Sequence, residues 1–495
     1  MQNPKKIITS ILSVALAGIA SLSLVGCFDG DDEEKALSAY EIACKYGEYE
    51  SEQDWLASLK GANGKDGKDL DITEMYEAAR AGGYPGNLTD FISSYISVDV
   101  VLREDNDTKT IAQNTASVVS ICAGFKKEVK IRGWGGITTE TRVRKSEGSG
   151  VIVYMEENDT HASAYIITNY HVIYNTSNYT DSENGISQDI YIYPYGAREG
   201  FVTGDGTDDD DYMDEGGAMG DFTGDGIKAT YVGGAMDYDI AVLKVTDSKY
   251  LKECAAQVAT IGDSEEVTLG EKVYVIGNSN GEGISATGGM LSVESESIYM
   301  YSTDGLKRIV GYRVMRTDAA INPGNSGGGL FNLDGELIGI TNAKNIEDTT
   351  DNMGYALPIT PVKNLLQNIF DNDGCVRRAN LGVITYLDSS ISVMNDDGEL
   401  DIYETFRISS VLTGDEVGAA GASTDENKCL KVGDIVQSIQ INDGERYIFT
   451  RRHQFNDMLL TVRKGDVVKI NVLRENTPTE ITIAFDSDDY FIQYT

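Results

Sequence analysis

Asn322-Pro-Gly-Asn-Ser326-Gly-Gly-Gly-Leu-Phe331 sets one serine among glycines, directly before an apolar run. A nucleophilic serine needs a backbone turned tightly enough to aim consecutive N–H groups at a developing oxyanion. Gly324 permits such a turn, and Gly327 and Gly328 keep bulk away from the reacting atoms. Pro323 stiffens the approach. A serine alone is no site, so the next question is whether a base and an orienting acid accompany it.

The chain has 3 histidines, which narrows the search for a base. His171 ends the apolar run Tyr165-Ile-Ile-Thr-Asn-Tyr-His171, whereas His161 sits in a polar turn and His453 beside Arg451 and Arg452. Asp239 follows Asp237 and Tyr238 and opens the run Ile-Ala-Val-Leu-Lys-Val, so a strand can fix its carboxylate against an imidazole Nδ1–H. The order His, Asp, Ser is one of the three chain orders known for such a triad. From Val118 to Ile369 the pattern is of short strands bounded by Gly, Asn and Asp, among them Val151–Tyr154, Tyr165–Thr168, Ile240–Val245, Lys272–Ile276 and Leu337–Thr341. Many short strands at this density point to β-barrels.

The segments Gly148-Ser-Gly-Val-Ile152, Thr168-Asn-Tyr-His-Val172, Asp237-Tyr-Asp-Ile-Ala-Val-Leu243 and Thr317 to Gly328, in this order, resemble the HtrA/DegP family of trypsin-like proteases. Asn352-Met-Gly-Tyr-Ala-Leu-Pro-Ile359 is similar to the strand that closes that family's protease domain. Carried over by position, the resemblance implies Ser326 as nucleophile, His171 as general base and then acid, and Asp239 as the orienting carboxylate. It also implies an oxyanion hole of the Gly324, Asn325 and Ser326 N–H groups, in the cleft between two six-stranded barrels. Neither metal nor cofactor is expected.

Beyond about Asn380 a third unit reads strand, loop, strand, helix, strand. Phe455, Met458, Leu459 and Val462 have helical spacing, and Lys431–Asp434 and Gly465–Asp466 read as turns. The family resemblance implies a PDZ domain here. Leu381, Gly382 and Val383 match its loop for a peptide's terminal carboxylate, beside which the peptide adds as a strand. Three departures from the family pattern stand out: an acidic insertion between Gly204 and Gly226, a longer polar turn between Val151 and Tyr165, and the run Asp388 to Glu404, which is expected to crowd the peptide groove. The insertion reads as a solvated loop, with calcium binding the alternative, although no complete calcium-loop spacing is present.

At the start, Lys5 and Lys6 precede the uncharged, mostly apolar Ile7–Val25, an export-signal pattern. Leu24-Val-Gly-Cys27 resembles the bacterial lipobox, so Cys27 is the expected lipidation site, with an uncleaved anchor helix as the alternative. An acidic tether Asp29–Glu34 follows, then two copies of a repeat offset by 36 residues, as in Trp55-Leu56 against Phe91-Ile92. The remaining Cys44, Cys122, Cys254, Cys375 and Cys429 form no CxxC pair, which argues against a thiolate metal site. A formal net charge of -38 repels phosphate backbones, so nucleic acid is not an expected partner.

These readings give a mainly β chain with a chymotrypsin-like double β-barrel protease domain over 110–372 and a PDZ-like α+β domain over 378–488. A lipoprotein signal peptide (1–26), then the acidic tether and helical repeats (27–100), precede them. The resemblance implies a lipid-anchored extracytoplasmic endopeptidase acting on unfolded or damaged envelope proteins. It also implies C-terminal peptides as ligands of the PDZ-like unit, and assembly as a homo-trimer. The rival is a catalytically silent chaperone or binding module on the same fold, although every triad residue and flanking glycine is retained.

Overall fold

The computed structural model describes residues 108–494 apart from 134–135, 177–181, 203–220, 307, 343–352, 396–397, 413–417 and 420–428. The signal-like segment, Cys27, the tether, the repeats and most of the acidic insertion lie outside the described residues.

Six antiparallel strands close a first barrel: Val118–Gly133, Gly136–Glu157, Ala162–Thr168, Ile240–Ser248, Ile227–Ala235 and Asp189–Pro194, the last pairing back to the first. Period-two alternation drives the closure: Ile190 and Ile192 point inward while Asp189 and Tyr191 face outward half-buried. Ile121, Phe125, Ile152, Ile166 and Leu243 complete this interior. The acidic insertion leaves the barrel through a small hairpin, Glu199–Val202 paired with Asp221–Gly224.

A second ring runs Lys272–Asn278, Ile284–Tyr301, Ile309–Thr317, Gly354–Pro358, Glu336–Asn342 and Gly329–Asn332, closed by pairing of Gly329–Asn332 with Lys272–Asn278. All five strand segments expected from the apolar runs fall inside these strands. One apolar cluster joins the rings, with Val118, Ile167, Ile240 and Val242 from the first against Phe331, Leu337 and Ile340 from the second. The helix Ile359–Asp371 covers it, burying Ile359, Val362, Leu365 and Ile369 at helical spacing. Pro361 is tolerated because it stands in the first turn, where no N–H partner is lost.

A third sheet follows, in the order Val383–Met394, Leu400–Val411, Ile435–Ile441, Val467–Arg474 and Thr477–Ala484, with Phe406, Phe455 and Phe485 in its core. The run Asp388–Glu404 takes a form its sequence did not suggest. It is the outer half of a long hairpin, registered from Ser389↔Thr405 to Met394↔Leu400. The expected helix is shorter than its apolar spacing: it spans Arg452–Met458 and leaves Val462 outside. Tight i→i+3 bonds from Leu460 to Asp457 and Thr461 to Met458 end it, and the Thr461 hydroxyl caps the Met458 carbonyl at 2.7 Å.

Charged groups join this helix to the second barrel. Arg313 donates to Glu265 at 2.5 Å and to Asp457, while His453 lies 3.5 Å from Glu265. Burial alone would raise the Glu265 carboxyl, but the nearby His453 imidazole and the Arg313 guanidinium outweigh it and hold it down at about 2. Arg313→Ala strands two carboxylates and should cost about 3 kcal/mol in urea unfolding at neutral pH. Because the folded value is depressed, the Glu265 contribution is full above pH 4.5 and lost as pH falls through about 2. The Arg313→Ala deficit, measured across that window, should therefore shrink toward acid.

Candidate active site

Asn169 follows the strand Ala162–Thr168, and the chain then makes one helical turn, Tyr170–Ile173, that carries His171. Asn169 and Tyr170 are buried, and both donate to the Asp239 carbonyl, the side-chain amide at 2.9 Å and the N–H at 3.2 Å. Asp239 itself has φ 52° and ψ 39°, a left-handed conformation between a short 3-10 turn and the strand Ile240–Ser248. That backbone, uncommon for a residue with a side chain, turns the carboxylate toward the imidazole.

The Asp239 side chain is wholly buried, whereas His171 keeps about a fifth of its surface exposed. His171 Nδ1 lies 2.7 Å from Asp239 Oδ2, and the His171 N–H donates to Oδ1 at 2.9 Å. His171 Nε2 lies 3.0 Å from Ser326 Oγ. The three residues picked from the sequence thus form one unbroken line, although 155 residues separate His171 from Ser326.

A fourth residue completes the set. Asn342, at the end of a second-barrel strand, donates from Nδ2 to Asp239 Oδ2 at 3.0 Å. Nothing in Gly-Ile-Thr-Asn342 marked it out, because an Asn ending a strand more often caps a turn.

The serine turn is held by its glycines. Gly324 and Gly327 have φ of +92° and +83°, and a Cβ on either would meet the Asn278 or Ser149 carbonyl oxygen at 2.1 or 2.2 Å. Ser149, from the Gly-Ser-Gly segment, pins the turn to the first barrel: its N–H donates to the Ser326 carbonyl at 2.7 Å and its hydroxyl to the Gly324 carbonyl at 2.7 Å. One expectation needs correction. The Asn325 N–H is held inside the turn, donating to the Asn322 carbonyl at 3.0 Å, so it is not an open donor here.

Elsewhere, Leu381 is buried, Gly382 has φ 68°, and Val383 begins the edge strand of the third sheet. The Gly382 N–H donates to the Asn380 side-chain oxygen at 2.9 Å. The loop therefore already binds an oxygen acceptor of its own chain. Of the other histidines, His161 lies in an exposed turn and His453 at the Glu265–Arg313–Asp457 junction. Glu265, His453 and Asp457 could converge on a metal, but the Arg313 guanidinium supplies the cation there. None of these groups is part of the Ser326 line.

Residues 148–340 match the family model described as a trypsin-like peptidase domain. The chain is 30% identical over 401 residues to the serine protease Do-like HtrA of Lactococcus lactis subsp. cremoris, covering 79% of this chain and 84% of that one. It is 31% identical to the serine protease Do-like HtrA of Lactococcus lactis subsp. lactis, over 67% of this chain and 68% of that one. The periplasmic pH-dependent serine endoprotease DegQ of Escherichia coli is 30% identical over 52% of this chain and 51% of its own.

Gly327→Ala tests how tightly the turn is built. Left-handed strain adds about 1–2 kcal/mol to the clash with a backbone oxygen that cannot move aside. The variant should lose more than about 2 kcal/mol in thermal unfolding, and the Ser326 hydroxyl should no longer react with a fluorophosphonate.

Proposed function

The chain belongs to the HtrA/DegP family of trypsin-like serine proteases, and from that premise we propose that it hydrolyses unfolded polypeptides outside the cytoplasm through Ser326, His171 and Asp239. One observation carries the residue assignment: the hydrogen-bonded line from Asp239 through His171 to Ser326, at 2.7 and 3.0 Å. In this reading His171 Nε2 takes the Ser326 proton as Oγ attacks the scissile carbonyl carbon. The resulting oxyanion accepts hydrogen bonds from the Gly324 and Ser326 N–H groups. As the C–N bond breaks, the imidazolium returns its proton to the leaving amine, and water then hydrolyses the acyl-enzyme by the same route. Asp239 holds the tautomer with Nδ1–H and stabilises the imidazolium. Asn342 fixes Asp239.

The domain scheme belongs to the same proposal: a protease unit over 110–372 and a PDZ-like unit over 378–488, whose Leu381–Val383 loop takes terminal carboxylates. The Gly382 conformation and the edge position of Val383–Met394 support that role. A ligand carboxylate would have to displace the Asn380 side chain from the Gly382 N–H. Lipidation at Cys27 rests on the lipobox-like Leu24–Cys27, and trimeric assembly rests on family resemblance. The periplasmic name of the related DegQ supports an extracytoplasmic site of action.

Digestion of unfolded casein by the full chain tests the assignment. Ser326→Ala should reduce cleavage to background with the fold unchanged. Asp239→Asn should cost about 10⁴-fold in kcat, because the amide favours the wrong imidazole tautomer. Asn342→Ala removes one of the donors to a buried carboxylate and should lower kcat about tenfold with KM little changed. Cleavage that survives in the Ser326→Ala protein would place the nucleophile elsewhere.

A further inference from the structure

The left-handed backbone of Asp239 depends on the turn before it, and that turn is gripped from outside the first barrel. The 3-10 turn Met236–Tyr238 ends at Asp239, whose N–H donates to the Met236 carbonyl at 3.1 Å. Asp237 accepts from the Arg308 guanidinium at 2.8 and 3.3 Å. Tyr238 has other partners. Its hydroxyl accepts from Arg378 Nη1 at 3.2 Å, and its ring meets that of Tyr494 edge-on, with centroids 5.3 Å apart and planes at 80°.

Arg378 and Tyr494 belong to a two-stranded ribbon, Val376–Ala379 paired with Phe491–Tyr494. Val376 lies opposite Tyr494 and Arg378 opposite Ile492, so Arg378 and Tyr494 are diagonal neighbours on one face. The Arg378 guanidinium stands 5.4 Å from the Tyr494 ring centroid, an attraction that holds the two side chains together. The ribbon is a fixed support. Val376 is wholly buried in the apolar cluster shared by the barrels. The Asn368 side chain, on the helix Ile359–Asp371, donates to the Arg377 carbonyl and accepts from the Arg377 N–H, each at 2.7 Å.

We propose that Tyr494 is a positioning residue for the peptidase reaction: with Arg378 it fixes the Tyr238 ring, and that ring fixes the bend that aims the Asp239 carboxylate at His171. The proposal deepens the proteolytic reading and rests on it. A left-handed backbone at a residue with a side chain persists only where its surroundings over-determine it. The strand Ile240–Ser248 sets the chain direction after Asp239, and the turn sets it before, through the side chains of Asp237 and Tyr238. The hydrogen bond from His171 to Asp239 is 2.7 Å long, and a displacement of about 1 Å in such a line can cost on the order of 10²-fold in rate. Tyr494 reaches the line through Tyr238, so its effect falls on kcat.

Steady-state hydrolysis of fluorescein-labelled casein by the full chain tests this. Tyr494→Ala should lower kcat about tenfold with KM unchanged, read well below the variant's own thermal midpoint so that a weakened fold does not enter. Tyr494→Phe keeps the ring and should restore most of the kcat. Arg378→Met reaches the same ring from the other strand and should act in the same direction. Combined with Tyr494→Ala, it should cost less than the product of the two separate losses. Equal kcat for the wild type and Tyr494→Ala would overturn the proposal. A rise in KM alone would do the same, because the ribbon would then serve substrate binding, and so would a Tyr494→Phe protein as slow as Tyr494→Ala. If the wild-type chain shows no Ser326-dependent hydrolysis, the proteolytic reading itself falls; where it does, these outcomes judge Tyr494 alone.

Discussion

A single carboxylate charge is kept entirely out of water, and the arrangement of the two barrels follows from that requirement. Burying an ionised Asp239 costs several kcal/mol unless donors replace its hydration. Its oxygens accept from the His171 N–H, the His171 imidazole and the Asn342 amide, and its carbonyl accepts from Asn169 and Tyr170. His171 belongs to the first barrel and Asn342 to the second. The charge is therefore solvated by protein only when both barrels are closed and docked, and the apolar cluster they share holds them in that register.

The serine turn imposes a second fit at the same seam. Gly324, Gly327 and Gly328 approach the carbonyl oxygens of Asn278, Ser149 and Ile276 so closely that a Cβ would stand 2.1 to 2.4 Å away. Space that a side chain would fill is occupied by backbone from both barrels. Gly148 meets the same limit from the other side, since a Cβ there would strike Val172 at 2.6 Å, just past the His171 position. The two glycine-rich segments of the sequence are thus one feature seen from two sides.

How much of this was legible in the sequence depended on how far each signal reached along the chain. Ser326 and its glycines are contiguous, and His171 and Asp239 each adjoin a long apolar strand, so local pattern found all three. Asn342 carries no local mark: its partner is 103 residues away, and only the docked barrels bring them together. The Asn325 N–H was misjudged because the bond that holds it depends on a turn geometry that residue types alone do not specify. The run Asp388–Glu404 stood out in the sequence only as a departure from the family pattern; cross-strand pairs such as Ile391 with Tyr403 zip it into a ribbon. Helical spacing through Val462 overran the helix because Thr461 could cap it first.

The separations inside the reactive line also govern time. His171 and Asp239 lie 68 residues apart, and His171 and Ser326 lie 155 apart. Long-range pairing of this kind forms late, because loop-closure entropy must be overcome before the contacts form. A fragment that stops short of Ser326 holds only part of the line, and a first barrel folded alone contains no Ser326. Until the second barrel closes on the first, Ser326, His171 and Asp239 are not held in one line.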